Sequence, residues 1–353
     1  MTFGSTYAQW VRDRMELMPR ETANWCGDVS GQHILDLGCG DMLEAFGLLS
    51  LNPRHITGVD VVPRSWDVIQ HAATQIVKHG FTLPADYESR LTYLIYDGAR
   101  LPFPDNTFDL VFSWGVFEHI ANVPATLAEA RRVVKPEGRI FIEVFPWFHT
   151  FAGSHLTKYI SEPFFHLHRP PEWVYARLQE YVAAQDAENI RFQGFHGPDE
   201  YTLRTSVLEH MWPEYCKLNR YSARMFLTAA LENGLIIERL SLTTEKVEEP
   251  PPDVPFADVV THSTMVLLRP GKSGHEGQAS APVAVQPGLQ DKLARAMDEN
   301  NALRQEIAAL QAQLGAERRV REGILQSISW RLTKPGRDLM QAVRKLKELK
   351  SGR

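Results

Sequence analysis

The segment His33-Ile34-Leu35-Asp36-Leu37-Gly38-Cys39-Gly40 constrains the fold more than any other part of this chain. A short apolar run ends in a carboxylate and is followed at once by two closely spaced glycines and a helical pattern. Glycine reaches backbone conformations closed to other residues, and its missing Cβ lets another group approach the main chain. A strand that feeds such a turn and then a helix is the opening unit of an open, doubly wound α/β sheet. Such sheets bind their ligands outside the carboxyl ends of the strands.

The following hundred residues repeat the alternation. Strands are predicted at 33–37, 56–60, 91–96, 108–114 and 139–145, with helical patterns between them. Strands separated by helices imply a parallel sheet. A helix is predicted over 5–19. Residues 147–225 break the rhythm and read as a helical or irregular insertion rich in His, Pro and aromatic residues. A helix near 222–233 and two late strands, 235–243 and 259–268, complete the domain. The fold class expected is therefore α/β, a Rossmann-like doubly wound sheet with a helical insertion, spanning 1–270.

Three carboxylates fall at the carboxyl ends of three predicted strands. Asp36 ends the first, Asp60 closes Ile56-Thr57-Gly58-Val59-Asp60, and Asp97 follows the third. An acid in the position of Asp60 can accept from both hydroxyls of a ribose. One in the position of Asp97 can accept from the exocyclic amine of an adenine. Asp36 could instead be a turn former and Asp60 a helix cap, but their shared order favours a nucleoside site.

These segments carry a resemblance. Asp36-Leu37-Gly38-Cys39-Gly40, Gly58-Val59-Asp60, Asp97-Gly98-Ala99-Arg100-Leu101-Pro102-Phe103, Phe108-Asp109-Leu110-Val111, Phe117-Glu118-His119-Ile120 and the stretch Glu129 to Gly138 resemble the class I S-adenosylmethionine-dependent methyltransferases, in the branch acting on small molecules and sugars. The resemblance implies S-adenosylmethionine as cofactor. It implies that Asp36 orients the methionine ammonium through the turn, with Gly38 and Gly40 against the cofactor. Asp60 would hold the ribose hydroxyls and Val61 the adenine face. Asp97 and Ala99 would border the adenine edge, and Ser113 would offer its carbonyl near the methionine end.

Two departures stand out. A third glycine is common where this chain has Met42, so the pocket floor is expected to differ. Some relatives bind a metal through two glutamates and histidines near the exit of the fourth strand, but Gly115 replaces the first glutamate. No metal is expected, and Glu118 and His119 are read as structural. A nicotinamide-binding reading is weaker, because the turn lacks the downstream third glycine.

In this fold the acceptor pocket is built by the N-terminal helix and by insertions after the fourth and fifth strands, which points to 147–225. Five histidines lie there: His149, His155, His166, His168 and His196. A neutral imidazole suits removal of a hydroxyl proton. His155, in Gly153-Ser154-His155, and His166, in Phe164-Phe165-His166, are the candidate bases. A metal pair at His166 and His168 lacks a third ligand.

Three cysteines, Cys26, Cys39 and Cys216, are too few and scattered for a disulfide framework, and Met1 to Arg20 has no signal-peptide core. A cytoplasmic setting is expected. The net charge of −5 is uneven: residues 318–353 hold eleven Lys/Arg against three Asp/Glu. Residues 271–288, rich in Gly, Ser, Ala and Pro, read as a flexible linker. Beyond it, Leu289, Ala296, Leu303 and Leu310 at d and Leu293, Asn300, Ile307 and Leu314 at a form a heptad pattern within 289–329. The lone Asn at an a position favours a parallel homodimer through 289–317. An amphipathic helix packed on its own domain is the rival. Ile324 to Pro335 looks like a segment attached to bacterial enzymes of surface-polysaccharide assembly. The basic amphipathic stretch 330–353 suits an anionic membrane surface, a partner protein or a second dimerisation helix.

The expected acceptor is accordingly a hydroxyl on a glycan or lipid-linked sugar, or another small molecule, with the protein peripheral at the inner face of the membrane. The alternative is a catalytically silent, cofactor-binding tether. Nucleic acid is not expected, because the catalytic body is acidic and no Asn/Asp-Pro-Pro-aromatic motif follows the fourth strand.

Overall fold

The computed structural model describes residues 7–186, 188–189, 191–193 and 200–271. The linker, coiled coil and basic tail read from the sequence lie outside the described residues, as does His196.

Among the described residues there are nine strands: β1 His33–Leu37, β2 His55–Asp60, β3 Leu91–Ile95, β4 Phe108–Trp114, β5 Val134–Val144, β6 Arg191–Gln193, β7 Glu200–Thr202, β8 Leu235–Thr244 and β9 Thr261–Pro270. Seven of them form one sheet in the order β3-β2-β1-β4-β5-β9-β8, and β6 and β7 form a separate hairpin. β3, β2, β1, β4 and β5 run parallel, while β9 is antiparallel to β5 and to β8. The strand order reverses between β1 and β4, so a crevice opens at their carboxyl ends.

Alternation along each strand sends side chains to two apolar layers. Leu35, Leu37, Val111, Ile140 and Ile142 face one layer, covered by the helices Val123–Val133 and Ala223–Glu232. Ile34, Leu110, Phe112 and Phe141 face the other, covered by Met18–Cys26, Leu43–Leu48 and Trp66–Lys78. Both covering helices of the first layer begin at side-chain caps: Asn122 accepts from the Ala125 N–H and Ser222 from the Met225 N–H. Such caps satisfy donors that the first helical turn leaves open.

The opening helix extends further than expected, with a π turn at Asp13–Leu17 joining Tyr7–Arg12 to Met18–Cys26. β5 starts at Val134, earlier than expected, because Val134 pairs with Phe108 before a register shift. The insertion has its own core of Leu156, Ile160, Phe165, Val174, Leu178, Val182, Leu203 and Val207. Among the described residues no helix is long and apolar enough to cross a membrane.

Candidate functional site

β1 leads into the glycine turn at the switch point. The N–H groups of Gly38 and Cys39 both donate to the Val59 carbonyl, at 2.9 and 3.1 Å, which draws the turn against β2. Gly38 has φ +81°, and a Cβ there would stand 2.3 Å from Cγ1 of Val116. Gly40 has φ +53° with open space where a Cβ would project. Met42 stands where a third glycine was looked for. It holds the left-handed conformation itself, at φ 63°, with its side chain fully buried. The turn therefore keeps its shape, and the methionine goes into the core.

Asp60 receives two backbone N–H groups, Gly40 to Oδ2 at 2.9 Å and Val62 to Oδ1 at 2.8 Å. A carboxylate offers about four lone-pair sites, so each oxygen keeps one for a further donor. Val61, 54% exposed, presents an open apolar face beside it, and a Cβ on Gly98 would lie 3.2 Å from its Cγ1. Asp97 is exposed, and its Oδ1 accepts from the N–H groups of Arg100 and Ala99, which hold its carboxyl below the usual range. The Ser113 hydroxyl donates to the Leu37 carbonyl at 2.9 Å, tying the end of β4 to β1 across the switch point.

Asp36 is 1% exposed, and its Oδ2 has no hydrogen-bond partner. Burial, then the negative charges of Glu44, Asp60 and Asp41, hold its carboxyl well above the usual range. An unpartnered buried acid beside a glycine turn is a place for a donor or a cation. Together these features fit the parts of S-adenosylmethionine: two free acceptor positions for a ribose, an apolar ledge for a purine, and an unmet acid for an ammonium.

A second group forms where β4 leaves the sheet. The Gly115 N–H donates to the Glu143 carbonyl, and the chain turns through Phe117 to His119. Asn219, at the far end of the insertion, holds this turn: its side chain donates to the carbonyls of Phe117 and Ile120 at 2.6 and 2.9 Å, and its N–H to the carbonyl of Glu118 at 2.9 Å. Glu118 is buried, with Oε2 unpartnered, and burial pushes its carboxyl well up. His155 follows the short turn Phe151–Ser154 in the left-handed conformation, φ 58°. Its ring stands edge-on to that of His119, with centroids 5.3 Å apart. Burial, then His119 and His166, push the His155 imidazole down to about 3, so it is neutral across the physiological range. Ligand atoms of Glu118, His119 and His155 all lie within 4.8 Å of one another.

The two candidate bases therefore separate. His155 joins the group at the β4 exit. His166 corrects the expectation. It is 3% exposed within the helix Phe165–His168, and its Nε2 lies 2.7 Å from the Phe148 carbonyl. A carbonyl only accepts, so Nε2 carries the proton, and the bare Nδ1 is sealed away from solvent. His168 pairs with Glu162 on the surface at 2.8 Å. Glu118 and His119, read as structural, lie beside His155, and Asn219, which holds their turn, was not singled out in the sequence.

A cleft of about 410 Å³ lies elsewhere, lined by Cys26, Gln32, Asp109, Lys135 and Arg139 at the amino-terminal ends of β1, β4 and β5. It lies at the opposite ends of the strands from Asp36, Asp60 and Asp97.

Residues 35–142 match the sequence family described as "Methyltransferase domain". Among curated proteins, the chain is 27% identical over 111 residues to 27-O-demethylrifamycin SV methyltransferase of Amycolatopsis mediterranei, covering 31% of this chain and 38% of that protein. It is 24% identical over 168 residues to demethylmenaquinone methyltransferase of Tropheryma whipplei, covering 48% and 60%. It is 26% identical over 228 residues to O-methyltransferase cnsE of Penicillium expansum, covering 64% and 69%. The matched part thus spans 38% and 60% of the lengths of the first two relatives.

Proposed function

We propose that this chain, whose residues 35–142 match the methyltransferase-domain family and whose cofactor is S-adenosylmethionine, transfers a methyl group to a hydroxyl of a glycan or lipid-linked sugar. The observation that carries the reading is the junction of Gly40 and Asp60 at the carboxyl ends of β1 and β2, inside the matched stretch. When bound, the cofactor supplies a methyl group already activated on a sulfonium, so the protein is left to position the acceptor and take its proton.

The chain's own residues divide that work. Asp60 holds a diol with its two remaining acceptor positions. Asp36 meets an ammonium from beneath the turn. Val61 and Asp97 border a purine. On the acceptor side, Glu118, His119 and His155 line the β4 exit, where an acceptor hydroxyl would sit. Asn219 positions that turn without touching the reacting atoms.

The acceptor class does not come from the relatives, whose names span a rifamycin, a menaquinone precursor and a fungal O-methyltransferase. It is supported by the segment Ile324 to Pro335, similar to one attached to surface-polysaccharide enzymes, and by the basic stretch after it. A homodimer through 289–317, and contact of 330–353 with a membrane surface or protein partner, belong to the same proposal.

The test is transfer of labelled methyl from S-adenosylmethionine to a panel of lipid-linked glycans, free sugars and quinols. Label on a sugar hydroxyl supports the reading. Label on a quinol alone contradicts the acceptor class. Cofactor binding with no transfer to any acceptor favours the silent tether.

A further inference from the structure

We infer that Glu118, His119 and His155 form a binding site for one divalent first-row transition-metal ion, placed on the acceptor side of the cofactor crevice. The site's use rests on the methyl-transfer reading; its existence does not.

Three observations carry it. First, the ligand atoms converge. They lie within 4.8 Å of one another, from two segments of the chain that the fold brings together. Second, Glu118 Oε2 and His155 Nε2 have no hydrogen-bond partner, although both atoms are buried. Buried polar atoms are nearly always paired, and a cluster of unpaired ones pointing together signals an absent ligand. Third, the scaffold is fixed around them. Asn219 makes three hydrogen bonds to the turn bearing Glu118 and His119. His155 is set by a tight turn in which a Cβ on Gly153 would meet the Phe148 carbonyl at 2.2 Å.

The orientation of His119 agrees. Its Nε2 is 4.0 Å from Glu118 and its Nδ1 is 4.0 Å from Glu214. A carboxylate behind the non-ligating nitrogen is the usual outer partner of a metal-bound histidine. Two imidazoles and one carboxylate suit zinc, iron, cobalt or manganese and leave coordination positions open. Calcium and magnesium prefer more oxygen ligands. An ion here would hold an acceptor hydroxyl and make it more acidic. The set differs from the one weighed in the sequence: Gly115 contributes nothing, and the third ligand comes from the insertion.

The test uses the full chain, purified without a histidine tag and freed of metal by a chelator. It is titrated with Co²⁺, followed by visible absorption, and with Zn²⁺, followed by calorimetry. S-Adenosylhomocysteine is titrated in parallel. Variants are Glu118→Gln, His119→Ala and His155→Asn, the last because asparagine tolerates the left-handed backbone. Circular dichroism checks their folding. One equivalent of ion, bound at least about tenfold more weakly by each folded variant, is expected. No ion bound by wild-type protein that binds S-adenosylhomocysteine overturns the inference and leaves the methyl-transfer reading standing. Equal ion binding by wild type and variants also overturns it. Ion binding without S-adenosylhomocysteine binding supports the site and removes the reading.

Discussion

The backbone N–H of Gly40 donates to Oδ2 of Asp60 across 2.9 Å, so the acid proposed to hold a ribose also sets the glycine turn. Val62 fixes the other oxygen from the far side. The carboxylate is thereby oriented before any ligand arrives, and less ordering remains to be done on binding.

The two glycines of the turn should respond differently to alanine. Gly38→Ala places a methyl group against Val116, whose branched side chain moves poorly, and also requires φ +81°. It should lower the melting temperature by several degrees and weaken S-adenosylhomocysteine binding at least about tenfold. At Gly40 the added methyl meets no protein atom, so the stability cost is only that of a left-handed alanine, about 1–2 kcal/mol. That methyl projects into open space beside Asp60, where the proposed ligand would lie. Affinity should fall with a smaller loss of melting temperature than in Gly38→Ala, and comparable melting losses in both variants would contradict this.

His33 gives a pH dependence away from the site. Its Nε2 lies 3.0 Å from the Thr57 hydroxyl and its ring packs on Phe108. Burial first, then positive charge on His55 and Arg54, push its imidazole from 6.5 down to about 4. Between those values the unfolded chain binds more protons than the folded one, so stability rises with pH. The contribution is complete above about 6.5 and is lost as pH falls toward 4. His33→Gln should flatten the melting temperature against pH over that window. An unchanged slope would contradict the assignment.

Trp147 donates its indole N–H to the Thr264 hydroxyl at 2.9 Å, with both side chains fully buried. Trp147→Phe should destabilise the domain by about 1–3 kcal/mol for the unpaired hydroxyl alone, before any loss of packing. Adding Thr264→Val should recover part of this, as measured by urea unfolding. Strictly additive losses would mean that the bond contributes little.

The legibility of this chain follows the range of the forces involved. β1, β2 and β4 could be read because apolar runs end in a carboxylate or a glycine, which is local information. The early start of β5 could not, because Lys135 to Gly138 reads as a turn and its place in the strand comes from the flanking pairs Val134–Phe108 and Arg139–Leu110. At Met42 the buried side chain compensates for a left-handed backbone, so the turn survives without a third glycine, as expected. Asp36, Asp60 and Asp97 lie at the strand ends where the sequence reading put them, because apolar runs mark those ends locally. His155 reaches His119 only through a tight turn and a separately packed insertion, so no spacing rule places them together. His166 has a similar sequence setting, and the fold turns it into the core.

The central claim is that the crevice at the carboxyl ends of the sheet binds S-adenosylmethionine through Asp60, at the end of β2. Calorimetric titration of the full chain with S-adenosylhomocysteine, wild type beside Asp60→Ala, tests it most directly. The account predicts one site of micromolar affinity in the wild type and loss of measurable binding in a variant that circular dichroism shows to be folded. Equal binding by both proteins, or no binding by folded wild type, would contradict it.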